Sequence, residues 1–157
     1  MESKTVKSTS VTVVQQMTQQ DANLAGNVHG GVILKLIDNT AGIVGMRHTG
    51  ANVVTASIDK VDFHFPVHVG NLLRVSASIN YVGTTSMEIG VRVEAEDHLT
   101  GATRHTGSAY LTFVALDADN KPIKINPIII ETDEEKRRNN EALERKRIRL
   151  EAAKKRK

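Results

Sequence analysis

The run Val32-Ile33-Leu34-Lys35-Leu36-Ile37-Asp38-Asn39-Thr40-Ala41-Gly42-Ile43-Val44-Gly45-Met46-Arg47-His48 is long enough for a helix and apolar on nearly every side, with two interior charges. A helix that is apolar all round is enclosed by other elements rather than laid on a surface. Gly42 and Gly45 each cost about 1 kcal/mol there relative to alanine, so the sequence predicts that another backbone packs closely against them. The enclosing elements have to come from a chain of 157 residues, one ordinary domain.

Strands supply them. The β-branched run Val11-Thr12-Val13-Val14 makes residues 5–17 read as a first strand. Residues 21–27, rich in Asp, Asn and Gly, are turn chemistry leading to the helix. After the helix come four strand-like segments, residues 53–65, 72–82, 87–95 and 103–116. The second alternates, Val75, Ala77, Ile79 and Tyr81 against Arg74, Ser76, Ser78 and Asn80, and the third more strictly, Met87, Ile89, Val91, Val93 and Ala95 against Glu88, Gly90, Arg92 and Glu94. Period-2 alternation means one covered face and one wet face, the mark of an antiparallel sheet. Gly83-Thr84-Thr85 and His98-Leu99-Thr100-Gly101 are hairpin-like connections. The expected fold is therefore α+β, one curved antiparallel sheet wrapped around one helix. Such a sheet has open edges and an incompletely covered face, so a dimer is expected.

Composition removes other classes. Cysteine is absent, excluding disulfide frameworks, thiolate metal sites and cysteine nucleophiles. No stretch approaches the ~20 apolar residues of a membrane span, and the N-terminus lacks a basic-then-apolar signal, so a soluble, cytoplasmic chain is expected. Five aromatic residues and no tryptophan leave little for base stacking. Charge is uneven: residues 131–157 hold eleven Lys/Arg against seven Asp/Glu, a net of +4, and residues 1–130 hold ten against eleven, a net of −1. The division expected is one domain over residues 1–130 and a charged helical extension over 131–157. The extension reads as a solvated helix supported by pairs such as Glu141–Arg145 and Glu144–Arg147. Its end, Lys154-Lys155-Arg156-Lys157, suits a phosphate or nucleic-acid patch or simply a soluble terminus. Arg137 and Arg138, nearer the body, could meet a phosphorylated ligand.

Among candidate chemical groups Asp38 is the most informative. Charged residues are almost never fully buried without a partner. Burial disfavours the charged form of a carboxylate, and perturbed carboxylates in clefts are functional candidates. A structural role, with Lys35 as ion-pair partner three residues earlier, fits the same position. At the helix start, Gly30 and Gly31 offer backbone N–H groups at a positive helix end, suited to a developing oxyanion or to a plain N-cap. Eight residues separate Gly30 from Asp38, about 12 Å along a helix. If both groups act on one carbonyl, they come from two chains packed together. His29 and Asn23 are the remaining polar candidates, Asn23 also suiting turn chemistry. His64 and His68 flank Pro66 without a third ligand at metal spacing, and the GxSxG, GxGxxG and P-loop patterns are absent.

The segment Asp21-Ala22-Asn23-Leu24-Ala25-Gly26-Asn27-Val28-His29-Gly30-Gly31-Val32-Ile33-Leu34-Lys35-Leu36-Ile37-Asp38 resembles the hotdog-fold acyl-CoA thioesterases, in particular the cytosolic, brain-type acyl-CoA hydrolase group and its single-domain bacterial relatives. Residues 62–70, the segment Gly83-Thr84-Thr85-Ser86-Met87-Glu88 and the charged tail after Pro127 support it. The resemblance implies the hotdog fold and hydrolysis of acyl-CoA to fatty acid and CoA, with no cofactor beyond the CoA of substrate and product. It implies that Asp38 is the catalytic carboxylate and Asn23 its partner from across the dimer interface. It further implies that Asn27, His29, Gly30 and Gly31 polarise the thioester carbonyl. A trimer of dimers is the implied assembly, with CoA at subunit contacts near Thr84, Thr85, Ser86, Arg137 and Arg138. Many relatives carry a basic residue after Gly83, where this chain has Thr84. The alternatives within and beyond that family are a hotdog enoyl-CoA hydratase, a non-catalytic acyl-CoA-binding protein, and a nucleic-acid module resting on the tail alone.

Overall fold

The computed structural model describes residues 3–156, and in it the enclosed helix is α2 (Gly30–Thr49). His29 caps its start, and Gly50, in the left-handed region at φ 65, ends it by donating its N–H to Met46 O at 2.8 Å. Five strands form one antiparallel sheet: β1 (Val11–Gln16), β2 (Asn52–Phe63), β3 (Leu72–Val82), β4 (Ser86–Glu96) and β5 (Thr103–Leu116), in the order β1-β3-β4-β5-β2. The four later strands match the expected segments to within two residues at either end. Residues 5–17 divide instead into a short helix α1 (Val6–Thr9) and β1. Thr5 Oγ1 accepts from Ser8 N, while the hydroxyls of Ser8, Thr9 and Ser10 donate to carbonyls of the preceding turn. Such local side-chain bonds give the backbone an alternative to the ladder.

The core lies between α2 and the sheet. Ile33, Ile37, Ala41 and Val44 form one buried stripe of α2, facing Leu73, Val75, Ile89, Leu111, Phe113 and Ala115. The helix is thus covered on one side by its own chain, and Val32, Leu34, Leu36 and Ile43 stay half-buried while Met46 is exposed. Gly45 does answer close packing, by side chains of the sheet and not by another backbone, whereas Gly42 has only an ordinary contact. A Cβ on Gly45 would lie 2.9 Å from Met87 Cε and 3.3 Å from Val53 Cγ2, and one on Gly42 would lie 3.7 Å from Phe113. Among the described residues no helix is long and apolar enough to cross a membrane.

The charged tail forms α3 (Asp133–Lys155), begun by an N-cap in which Thr132 Oγ1 accepts from Glu135 N, while the Glu135 carboxylate accepts from Glu131 N and Thr132 Oγ1. It is not wholly solvated. Ala142 is buried, and Arg145 leaves the expected pairing with Glu141 to grip Glu88 on the outer face of β4, with both bonds at 2.8 Å. Glu88 is itself buried, and a buried carboxylate demands a partner. Glu141 pairs with Arg137 instead at 3.1 Å, and Glu144 pairs with Arg147 as expected.

Candidate active site

Two neighbourhoods along α2 hold the residues singled out by the sequence. At the helix start, the loop from Asn23 to Val28 folds back on itself. Asn23 N donates to Asn27 O at 2.7 Å, and Asn23 Oδ1 accepts from Ala25 N at 2.9 Å and Asn27 N at 3.2 Å. Gly26 takes φ 86, which only glycine adopts without strain. The turn role of Asn23 is therefore present, and it engages the carbonyl oxygen alone. Among the described residues the amide nitrogen of this exposed side chain has no partner, leaving two N–H donors for a ligand or a water.

His29 Nδ1 accepts from Gly31 N at 3.0 Å, which makes this a side-chain N-cap and puts the ring proton on Nε2. One of the two expected oxyanion donors is thereby committed within the chain. The amides of Val32 and Ile33 both point to His29 O. Gly30 N–H remains without a partner among the described residues and is the free donor at the positive end of α2. Phe63 flanks this end, its ring 3.9 Å from where a Gly30 Cβ would stand.

Two turns further along, Asp38 is half-buried and accepts a 2.5 Å hydrogen bond from Thr55 Oγ1 of β2. Among the described residues it forms no ion pair with Lys35. A hydrogen bond of this length to a carboxylate is charge-assisted and fixes the oxygen it reaches, leaving the second oxygen for chemistry. Nothing in the sequence singles out Thr55: it lies 17 residues from Asp38 in a strand where threonine is ordinary. Because α2 is continuous from residue 30 to 38, the Gly30 amide and the Asp38 carboxylate of one chain stay about 12 Å apart along it.

The remaining candidates lie on the other side of the sheet or at its end. Thr84, Thr85 and Ser86 form the β3–β4 hairpin, where Gly83 N donates to Ser86 O and Thr84 O accepts from Ile125 N. Lys146 of α3 lies against Gly83 and its Nζ reaches Tyr81 Oη at 3.4 Å, so a cation stands beside the hairpin although Thr84 is neutral. Arg137 and Arg138 line a cleft of about 440 Å³ between α3 and the outer sheet face, with Arg92, His105 and Ser108 on its floor. Both arginines are engaged by Glu134, and Arg137 also by Glu141. The cleft includes none of Thr84, Thr85 and Ser86, so the two sets do not share one pocket. His64 rests edge-on against His105 at 5.5 Å, and no cluster of metal-ligating side chains occurs among the described residues.

Comparison with known proteins gives a consistent answer. The family profile described as thioesterase superfamily matches residues 25–102, from the Asn-rich loop to the turn before β5. The cytosolic acyl coenzyme A thioester hydrolase of Rattus norvegicus is 35% identical over 139 residues, 87% of this chain, which spans only 36% of that longer protein. The Bacillus subtilis protein named uncharacterized acyl-CoA thioester hydrolase YkhA is 34% identical over 144 residues, 92% of this chain and 84% of its own. Among solved structures, an apo-hexameric acyl-CoA thioesterase superimposes with TM-score 0.93 at 36% identity, covering 98% of each chain. The acyl-CoA hydrolase of Staphylococcus aureus, in complex with butyryl coenzyme A and coenzyme A, gives TM-score 0.88 at 35% identity over 98% of this chain and 96% of that one. Further structures of that hydrolase carry alanine in place of an aspartate, an asparagine or a threonine.

Proposed function

The chain belongs to the thioesterase superfamily, with the hotdog fold, and from that premise we propose that it hydrolyses acyl-CoA to a free carboxylic acid and CoA. The observation that carries the reading is the pair Asp38–Thr55: a carboxylate on an apolar helix, held by one hydroxyl, with one oxygen uncommitted. The replaced asparagine, aspartate and threonine of the S. aureus hydrolase follow one another at intervals of 15 and 17 residues, the intervals separating Asn23, Asp38 and Thr55 here. That match supports a role for all three.

In the proposed reaction the thioester oxygen lies against Gly30 N–H at the α2 start. Asp38 of a second copy takes a proton from water, which adds to the carbonyl carbon. The C–S bond then breaks, and the proton passes to the departing thiolate. Asn23, through its free amide group, orients the water or the thioester. His29 contributes by fixing the entry of α2, and Asn27 by closing the loop that presents Asn23. Direct attack by Asp38 to give a transient anhydride, later hydrolysed, is the other form the same geometry allows. The reading calls on no cofactor beyond the CoA carried by substrate and product.

Self-association follows from the same distances. The free edge of β2 and the half-covered side of α2 lie together, a surface that a second copy related by a two-fold axis would close. The apo-hexameric relative supports a trimer of dimers as the complete assembly. CoA would run from the seam toward Thr84, Thr85 and Ser86, with Lys146 as the nearest cation and Arg137 and Arg138 further away on α3. A cytoplasmic location agrees with the rat relative's name. The deciding experiment follows free-thiol release from acyl-CoA esters of graded chain length. The full chain turns over at least one of them, and Asp38→Ala lowers kcat by about 10²- to 10⁴-fold. Equal turnover by Asp38→Ala, or no turnover of any ester by the unaltered chain, would refute the reading.

A further inference from the structure

The helix α3 crosses the outer face of the sheet from β3 to β2, the strand that carries Thr55. Its contacts follow one another as rungs. Asn139 Nδ2 donates to Asn80 O of β3 at 3.0 Å, and Arg145 grips Glu88 of β4. The Arg145 guanidinium also stacks 3.7 Å from the centre of the Tyr110 ring of β5. Arg149 Nη1 then donates to Asp59 Oδ2 of β2 at 3.0 Å. Residues 142, 145 and 149 lie on one helical stripe, so the crossing is built into the sequence of α3.

The last rung meets the least regular part of the sheet. Among the described residues β2 is an end strand whose only sheet partner is β5, and its register with β5 shifts between Thr55 and Ser57 and again between Asp59 and Asp62. Between the shifts lies an islet of three pairs, Ser57 with Thr112, Ile58 with Leu111 and Asp59 with Tyr110. Lys60, next in sequence, takes a left-handed φ of 51, a conformation that a residue with a Cβ keeps only when its surroundings impose it. The islet has little of its own to do so: Ser57 Oγ and Thr112 Oγ1 are buried without a hydrogen-bond partner. Among the described residues, no side-chain hydrogen bond or ion pair other than Arg149–Asp59 reaches residues 56–61. On the opposite face, one bulge away, Thr55 holds Asp38.

We propose that Arg149 is a positioning residue for hydrolysis: by tying Asp59 to α3 it fixes the bulged islet of β2, and through it the Thr55 hydroxyl that aims the Asp38 carboxylate. The inference rests on the thioesterase reading, and small displacements of a reacting group carry large rate costs. Arg149→Ala and Asp59→Asn each lower kcat about three- to tenfold with KM within about twofold, while Arg149→Lys recovers most of the loss. Arg147→Ala serves as control, since among the described residues Arg147 pairs only with Glu144 and Glu151 of its own helix, and it leaves kcat unchanged. Hydrogen exchange of the full-length protein reads the mechanism directly: amides of residues 55–62 exchange at least about tenfold faster in Arg149→Ala, while native mass spectrometry shows the assembly intact. A kcat for Arg149→Ala within twofold of the unaltered chain overturns the proposal. So does unchanged exchange at 55–62, an equal fall in Arg147→Ala, or a fall that accompanies dissociation of the assembly. Failure of the thioesterase reading looks different, since the unaltered chain would then hydrolyse nothing while the exchange arm still reports whether α3 ties β2.

Discussion

Asp38 and Thr55 depend on each other in one direction only. The carboxylate is conspicuous in the sequence because charge is rare in the middle of an apolar helix, whereas its partner is one threonine among several in β-branched strands. What made Thr55 invisible is that helix-to-strand contacts across 17 residues leave no periodic trace. The bond has a measurable consequence. Thr55→Val keeps the shape and removes the hydroxyl, and it lowers kcat about tenfold, the loss of one hydrogen bond to a charged group. Thr55→Ser retains most of the rate. Steady-state kinetics on both variants check this, and a Thr55→Val enzyme with unaltered kcat would separate the two residues. At the helix start, the sequence pointed to both glycine amides as donors, and among the described residues only that of Gly30 is without a partner. The His29 ring takes the Gly31 amide, an exchange that requires the ring orientation, which no residue pattern encodes.

The elements themselves were largely legible, because hydrophobic period specifies them. Alternation located β3 and β4, and the long, largely apolar run located α2. The same alternation misled on one point. Asn80 and Glu88 fall on the polar side of their strands, and the period assigns that side to water, yet both are buried beneath α3. A helix with the composition of α3 announces solvent, and its docking depends on a few polar contacts, above all the two-bonded Arg145–Glu88 pair stacked on Tyr110. Removing one partner of such a pair strands a charge in the interior. Arg145→Ala therefore destabilises the protein by about 3 kcal/mol, lowering Tm by about 6–12 °C, and thermal unfolding followed by circular dichroism tests it. An unchanged Tm would mean that Glu88 reaches water once α3 is loosened.

For the whole molecule, one chain covers α2 on one side only, and the expectation of a helix enclosed all round is met only if a second copy supplies the other side. Ile58, on the α2 side of β2 and 36% exposed, lies where that seam would close. Ile58→Asp breaks self-association and hydrolysis together while leaving the single chain folded, as light scattering after size-exclusion chromatography, thiol release and circular dichroism would record. Retained activity in a monomeric Ile58→Asp protein would remove the need for a second copy. The most direct test of a shared site mixes two damaged proteins, Asp38→Ala and Asn23→Ala, by co-refolding. Each alone is impaired, but a mixed dimer restores one complete site, so the account predicts about a quarter of the unaltered activity from a statistical mixture. Activity no higher than the mean of the two parents would place both residues in the same chain's site and contradict it.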